Sequence, residues 1–174
     1  MNEFTGESLP LTELRHPMLR NAYDYWCLQK GARDLPSRKD ISPEGMKVYL
    51  SRVMLIDVSY EPLDFVYRVF GSGIAQAHGK EYTGKSVRQI EPADFSKLVW
   101  HQYLDAVNER KPRLHGVTFS SGSRYEKYHR LTLPLSSDGS IIDKLLAVSI
   151  EDGKFWETIG DAKVGGAIRT GTSG

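Results

Sequence analysis

RLHGVTFSSGSRYEKYHRLTLPLSSDGSIIDKLLAVSI, residues 113–150, is the stretch that decides the fold. It predicts three β-strands, Arg113–Phe119, Tyr125–Leu135 and Ile141–Ile150. The two connections are short and rich in Gly, Ser and Asp. Short connections made of turn-forming residues are typical of hairpins, so we expect the three strands to be antiparallel neighbours.

The middle strand shows the alternation of a strand with two different faces. Leu131, Leu133 and Leu135 share one face, while Arg130 and Thr132 lie on the other. Pro134 has no N–H to donate to a ladder, so we expect it at a strand end or a bulge.

Length and composition predict a single soluble domain. The chain has 174 residues, of which 40% are hydrophobic and 26% charged, with a formal net charge of +1. This balance gives no electrostatic case for a nucleic-acid or membrane partner. The single cysteine, Cys27, excludes an internal disulfide, and the N-terminus lacks the pattern of a signal peptide. We therefore expect a cytoplasmic protein.

The first fifty residues predict a helical extension. Residues 1–9 are polar and are expected to be loose. A helix should begin near Pro17 and end at Gly31, with an apolar stripe at helical spacing made of Leu11, Leu14, Met18, Ala22 and Trp26. Ser42, followed by Pro43, predicts a second short helix that runs to about Leu50.

The core is predicted over residues 51–152. The strands Val53–Ser59 and Phe65–Phe70 should form a hairpin, with Phe65, Tyr67 and Val69 on one face. A short helix at Ile74–Ala77 and a long helix from Pro92 to Arg110 then precede the three closing strands. Over residues 153–174 we expect a short helix at Phe155, Trp156 and Ile159, followed by a flexible tail.

The grouping of strands into runs predicts an α+β fold with an antiparallel sheet. In addition, residues 65–85 (FVYRVFGSGIAQAHGKEYTGK), Tyr25-Trp26, residues 35–38 (LPSR) and residues 133–139 (LPLSSDG) resemble the PAS domain, in particular a small single-domain alphaproteobacterial PAS family. The resemblance implies five antiparallel strands, ordered 2-1-5-4-3 when numbered along the chain, with helices on one face of the sheet.

The resemblance also implies a function. A PAS domain of this size would be a non-enzymatic sensory or protein-interaction module of signal transduction, acting on a signalling protein such as a histidine kinase through a shift between conformations. PAS-like domains often dimerise through an N-terminal helix. We therefore expect a homodimer in which that helix contributes Met18, Tyr23, Tyr25 and Trp26, unless the helix folds back on its own sheet.

A crevice between sheet and helices is the predicted site for a small apolar ligand. The residues expected to face it are Tyr67, Val69, Trp100, Tyr103, Phe119, Leu131, Leu133 and Val148. A plain packed core explains the same pattern equally well.

No cofactor is predicted, and haem is the cofactor alternative. A haem PAS domain needs an axial histidine, for which His101 on the long helix is the first candidate and His78 the second. Photochemistry with flavin needs a cysteine on the central helix, whereas Cys27 lies in the N-terminal one. The histidines show no paired ligand spacing, so no metal site is predicted.

A different class of protein stays open. A curved sheet covered by helices also suits a cone-shaped α+β enzyme that uses a buried carboxylate, Asp57 or Asp105, as general base. Such an enzyme would bury one isolated carboxylate and raise its pKa.

Overall fold

The structure, a computed structural model, describes residues 2–152, which fold around one six-stranded antiparallel sheet. The strands are β1 (Asn2–Leu9), β2 (Val53–Ser59), β3 (Asp64–Phe70), β4 (Arg113–Ser121), β5 (Arg124–Leu135) and β6 (Lys144–Asp152). Their order across the sheet is β1-β4-β5-β6-β2-β3. The expected helix and tail of residues 153–174 lie outside the described part of the chain.

The predicted order of the five core strands is confirmed. Strands β2 to β6 have the order 2-1-5-4-3 when they are numbered from one, and β5 ends at Leu135, one residue after Pro134. The three closing strands are antiparallel neighbours, as the short connections predicted.

The expectation that residues 1–9 are loose is wrong, because Asn2–Leu9 form an edge strand. This strand, β1, pairs with β4 from Asn2 opposite Ser121 to Leu9 opposite Leu114. Most of its side chains are exposed, and Phe4 and Leu9 are partly buried against the core. An edge strand whose side chains are largely exposed to solvent tolerates a polar sequence, and such a sequence is hard to distinguish from that of a loop.

Three α-helices complete the fold: α1 (Pro17–Lys30), α2 (Ser72–His78) and α3 (Ala93–Glu109). Helix α1 begins at Pro17 and is capped at its end by Gly31, as predicted, although the N-cap is His16. The prediction of a second short helix is wrong. Residues 44–52 instead form two 3₁₀ turns, Glu44–Met46 and Leu50–Arg52. Gly45 weakens helix propensity there, and the ring of Tyr25 fills the space that a side chain at position 45 would need.

The two faces of the sheet are covered by different parts of the chain. Helix α3 packs on the face formed by β1, β4 and β5, where Arg130 reaches Gln102. Helix α1 packs on the opposite face through its buried residues Leu19, Ala22 and Trp26. The indole Nε1 of Trp26 donates a hydrogen bond of 2.9 Å to the carbonyl of Pro134. Over residues 2–152, no helix has both the length and the apolar content that a bilayer crossing requires.

Candidate functional site

The predicted crevice residues divide between the two faces of the sheet. Tyr67, Trp100, Tyr103 and Phe119 lie on the α3 side, where Phe65 stacks edge-on against Trp100 at 4.7 Å between ring centroids. Leu131, Leu133 and Val148 lie on the opposite face. Arg130 pairs with Ser149 on the α3 side, and the next pair along the two strands, Leu131 and Val148, must therefore point the other way. The eight residues therefore do not line one cavity.

Val69 is the clearest departure from the predicted hairpin faces. The register between β2 and β3 shifts between Leu55 and Ile56. Leu55 pairs with Val69 and Ile56 pairs with Tyr67, so Arg68 has no partner in β2 and forms a bulge. Such a bulge reverses the side-chain alternation. Val69 consequently points away from Tyr67 and is 44% exposed, while Phe70 packs against Tyr67.

The space beneath α3 is occupied by a buried cation and its aromatic neighbours. Arg130 is 2% exposed and donates hydrogen bonds to Gln102 Oε1 at 2.6 Å, to the Tyr128 hydroxyl at 2.5 Å and to Ser149 Oγ at 3.3 Å. Its guanidinium also lies 5.5 Å from the ring centroid of Tyr103. Large side chains therefore fill much of the predicted crevice.

Burial controls the ionisation of these groups. Desolvation raises the pKa of Tyr128 and that of Tyr103, so both phenols stay neutral. Burial alone would lower the pKa of Arg130. The nearby Tyr128, Tyr103 and Tyr67 oxygens outweigh it, and the pKa stays above its usual range. The residue is thus a permanent positive charge inside the domain.

A separate open groove lies on the other face of the sheet, with a volume of about 560 Å³. Its floor comes from the outer face of the sheet, at Val53, Leu55, Val69 and Leu146. Its wall comes from the segment 38–52, which contributes Ile41, Pro43, Met46 and Leu50. We call this the outer groove. Its volume falls within the usual range of 300–1,000 Å³ for binding sites.

The charge around the outer groove has one sign. Its lining includes the cations Arg38 and Lys47 and contains neither Asp nor Glu. Arg38 Nη1 donates a hydrogen bond of 2.8 Å to the Ile41 carbonyl. Lys47 forms no ion pair within the described chain. Apolar walls with positive charge alone at the edge favour an apolar occupant that carries negative charge.

The proposed dimer residues are partly used by the chain itself. Trp26 is buried against the sheet, and the Tyr25 hydroxyl accepts a hydrogen bond of 3.0 Å from the backbone N–H of Ser42. Met18 and Tyr23 are only partly buried. Leu28, on the same helix, is 74% exposed. Helix α1 thus folds back on its own domain and retains an apolar exposed surface.

The histidine candidates for haem occupy different environments. His101 is exposed on α3. His78 is buried on α2 and contacts the rings of Tyr82, Phe95 and Phe70. Within residues 2–152, no three His, Cys, Asp or Glu side chains are grouped closely enough to hold a metal ion.

Neither candidate general base is an isolated buried carboxylate. Partial burial would raise the pKa of Asp57, but hydrogen bonds from Lys144 at 2.7 Å and Arg68 at 2.5 Å hold it below the usual range. Asp105 is half exposed and binds His115 Nε2 at 2.9 Å. Asp57 is therefore an ion-pair partner, and Asp105 accepts a hydrogen bond from the His115 ring.

Two features of the site were not predicted from the sequence. The outer groove depends on the path of residues 38–52, which carry no periodic pattern. Arg130 was placed correctly opposite the leucines, but an arginine in an alternating strand normally indicates a wet face. A signal was present in its neighbours, since Tyr128 and Thr132 on the same face are suited to a buried environment.

Comparison with known proteins identifies the family. A family model described as a PAS domain matches residues 14–143. Among solved structures, the chain is similar to the PAS domain of a protein from Colwellia psychrerythraea, with 8% identity, 64% of this chain and 96% of that chain covered, and a TM-score of 0.44. No curated protein matches. On the extent of the family match, this chain belongs to the PAS domain family.

Proposed function

We propose that the protein is a non-enzymatic sensory and protein-interaction module of signal transduction, and that the outer groove binds a segment of its partner. The observation that carries this proposal is the groove itself, an apolar trough of about 560 Å³ edged by Arg38 and Lys47. The partner would be a signalling protein, such as a histidine kinase. The proposal includes a cytoplasmic location, which the single free cysteine supports.

An amphipathic segment with acidic residues fits the groove better than a small molecule does. Small-molecule sites bury most of the ligand surface, whereas this groove is only partly enclosed. Leu50 and Val69 line it and are 41% and 44% exposed, so apolar surface continues to its edge. A helix that inserts its apolar face would place acidic side chains beside Lys47.

The homodimer remains part of the proposal. Its contact surface would be the part of α1 that the sheet leaves uncovered, with Leu28 opposite the buried face of the helix and Met18 and Tyr23 at its two borders. None of these three residues lines the outer groove. Light scattering across a concentration series tests it, with Leu28→Glu expected to convert a dimer to a monomer. A monomer at all concentrations would remove the dimer and leave the groove proposal intact.

The groove can be tested with a labelled peptide. The probe is a 16-residue helical peptide with Leu at helical spacing and Glu elsewhere, and fluorescence anisotropy reports its binding. We expect Lys47→Glu to weaken binding about tenfold, because it replaces attraction by repulsion at the edge of the groove. Leu50→Ser should weaken it by removing an apolar contact.

The matched control is Lys97→Glu, which makes the same charge change on the exposed surface of α3. It should leave the affinity close to that of the unchanged protein. Equal weakening by Lys47→Glu and Lys97→Glu would indicate attraction to net charge alone and would overturn the groove as the partner site. A version of the peptide with Lys in place of Glu should not bind.

A further inference from the structure

The outer groove keeps exposed apolar surface in both its floor and its wall. Val69 in the floor and Leu50 in the wall are close to half exposed, and Val48, in the same segment as Leu50, is 66% exposed. Apolar surface of this kind is normally covered by a partner or by another part of the chain. The chain itself offers a candidate, because residues 153–174 continue from the end of β6.

Strand β6 ends beside the outer groove. In the ladder between β2 and β6, Val53 pairs with Val148, and β6 then continues past the start of β2. Arg52 Nη1 holds the carboxylate of Glu151 there at 2.5 Å. Arg52 lies between Ser51 and Val53 in the sequence, and both of these residues line the groove. The chain therefore leaves the described part of the structure next to the groove.

The first residues after β6 have the pattern of a segment that covers an apolar surface. Phe155, Trp156 and Ile159 have the spacing of one helical face. Glu157 and Asp161 have the spacing of the opposite face. Because phenylalanine and tryptophan each bury roughly 150–250 Å² when they are covered, this short stretch carries enough apolar surface to cover the groove.

The connection is long enough for the chain to return to the groove. Strand β6 ends at Asp152, four residues after Val148, which is the partner of Val53. Trp156 follows Asp152 by the same number of residues. A reversal directly after the strand would thus bring Trp156 back to the level of Val53, in the floor of the groove. Gly153 permits such a reversal, since glycine readily adopts positive φ angles.

We propose that residues 153–163, which we call the C-terminal segment, bind in the outer groove of their own molecule and compete there with the partner segment. Phe155, Trp156 and Ile159 cover the apolar floor and wall of the groove. The inference rests on the proposed function for its regulatory meaning, whereas the docking of the C-terminal segment requires no partner.

Charge makes the C-terminal segment a weaker occupant than an acidic partner. Lys154 and Lys163 balance its two acidic residues, so its formal net charge is zero. Its binding depends on apolar contact, and the cations Arg38 and Lys47 add little to it. An acidic partner segment gains their attraction in addition to the apolar contact, and it can therefore displace the C-terminal segment.

The tether sets the size of the regulatory effect. A short connection holds a segment at an effective concentration on the order of 1 mM. If the C-terminal segment binds with an intrinsic Kd of about 0.1 mM, it occupies the groove roughly 90% of the time, and the apparent affinity for a partner falls about tenfold.

Peptide binding by the full chain tests the competition, with the labelled acidic peptide described above as the probe. The variant Phe155→Ser/Trp156→Ser should bind the peptide about tenfold more tightly than the unchanged protein, because the groove is then open. The matched control, Val164→Ser/Ile168→Ser, replaces two apolar residues beyond the C-terminal segment and should leave the affinity unchanged. If the peptide binds the unchanged protein and Phe155→Ser/Trp156→Ser equally well, the competition is overturned.

A nitroxide spin label locates the C-terminal segment without any partner. The label is attached at Gly160→Cys in a protein that also carries Cys27→Ala, so that it has one site of attachment. Beyond the adjoining end of β6, we expect broadened NMR signals at the amides of residues 47–53 and 69–72. Phe155→Ser/Trp156→Ser should remove this broadening. Broadening that survives this change, or that is centred on another surface, overturns the docking.

Two further results separate this inference from its alternatives. Peptide binding that ignores Phe155→Ser/Trp156→Ser, with no broadening in the groove, overturns the inference and leaves the proposed function standing. Absence of peptide binding in every variant removes the proposed function and the competition with it, while the spin label still decides the docking. Broadening in a mixture of ¹⁵N-labelled protein without nitroxide and nitroxide-labelled protein without ¹⁵N would assign the groove to a second copy of the chain and overturn the inference.

Discussion

At the scale of single residues, His115 shows how burial sets the protonation state of a side chain. It is 3% exposed on β4, and burial lowers its pKa below 6.5, the usual value. The hydrogen bond and charge of Asp105 oppose this shift, whereas the charges of Arg130 and Arg113 add to it. The net effect is a neutral imidazole in the folded protein at neutral pH.

This shift predicts how stability depends on pH. The unfolded chain takes up a proton at His115 near pH 6.5, but the folded protein does so only at lower pH. Proton uptake therefore favours unfolding, and the free energy of unfolding should fall as the pH drops below about 6.5. Urea unfolding at pH 7.5, 6.5 and 5.5 measures it.

The variant His115→Gln should reduce that dependence, because the titrating ring is gone. His101→Gln removes an exposed histidine from α3 and serves as the control, with the pH dependence expected to stay as in the unchanged protein. An unchanged slope in His115→Gln would contradict the burial argument.

Individual residue roles were predictable only where one pattern determined them. Gly31 was expected to end a helix and does so, with a positive φ angle of 57°. The face of Val69 was not predictable, because a single-residue bulge in β3 leaves no mark in an alternating sequence.

At the scale of elements, β1 extends the sheet beyond the five predicted strands. Its attachment depends on Phe4, whose ring lies 5.2 Å from that of Phe95 on α3 and 4.9 Å from that of Phe119 on β4. Gly6 also allows close approach to α3, since a Cβ atom there would lie 3.1 Å from Gln102 Nε2. The strand therefore seals one end of the layer that contains Arg130.

We expect Phe4→Ala to loosen this strand and to cost about 2 kcal/mol of stability, less than for a fully buried phenylalanine, because Phe4 is partly exposed. Hydrogen exchange should speed up at the amides of β4 that bond to β1, while the β5–β6 pairing keeps its protection. Thr5→Ala, at the neighbouring exposed position, is the control. Unchanged exchange in Phe4→Ala would mean that the Phe4 ring does not hold the strand in place.

The core strands, their hairpins and the long helices followed from periodicity and turn residues, which are local properties, whereas the strand order came from the resemblance to the PAS domain. The edge strand and the 3₁₀ turns did not, because their conformation is set by tertiary contacts. The strand β1 is stabilised by an edge of β4, and residues 44–52 are shaped by contact with Tyr25. Local sequence patterns do not show which residues distant in the sequence will be in contact, so they cannot predict a conformation that such contacts determine.

At the scale of the whole molecule, the sheet separates two sites of different character. Beneath α3 lies a buried polar cluster around Arg130, and on the opposite face lies the open outer groove. Strand β6 connects them, because Ser149 bonds Arg130 while Leu146 lines the groove.

The central claim is that the outer groove is where this PAS domain meets its partner. The most direct measurement is a ¹H–¹⁵N NMR titration with the acidic amphipathic peptide, which reports every backbone amide at once. Within residues 2–152, we predict shift changes confined to residues 38–53, 69–72 and 146, with the amides of α3 unaffected. Changes centred on the exposed side of α1, or none at saturating peptide, would contradict the account.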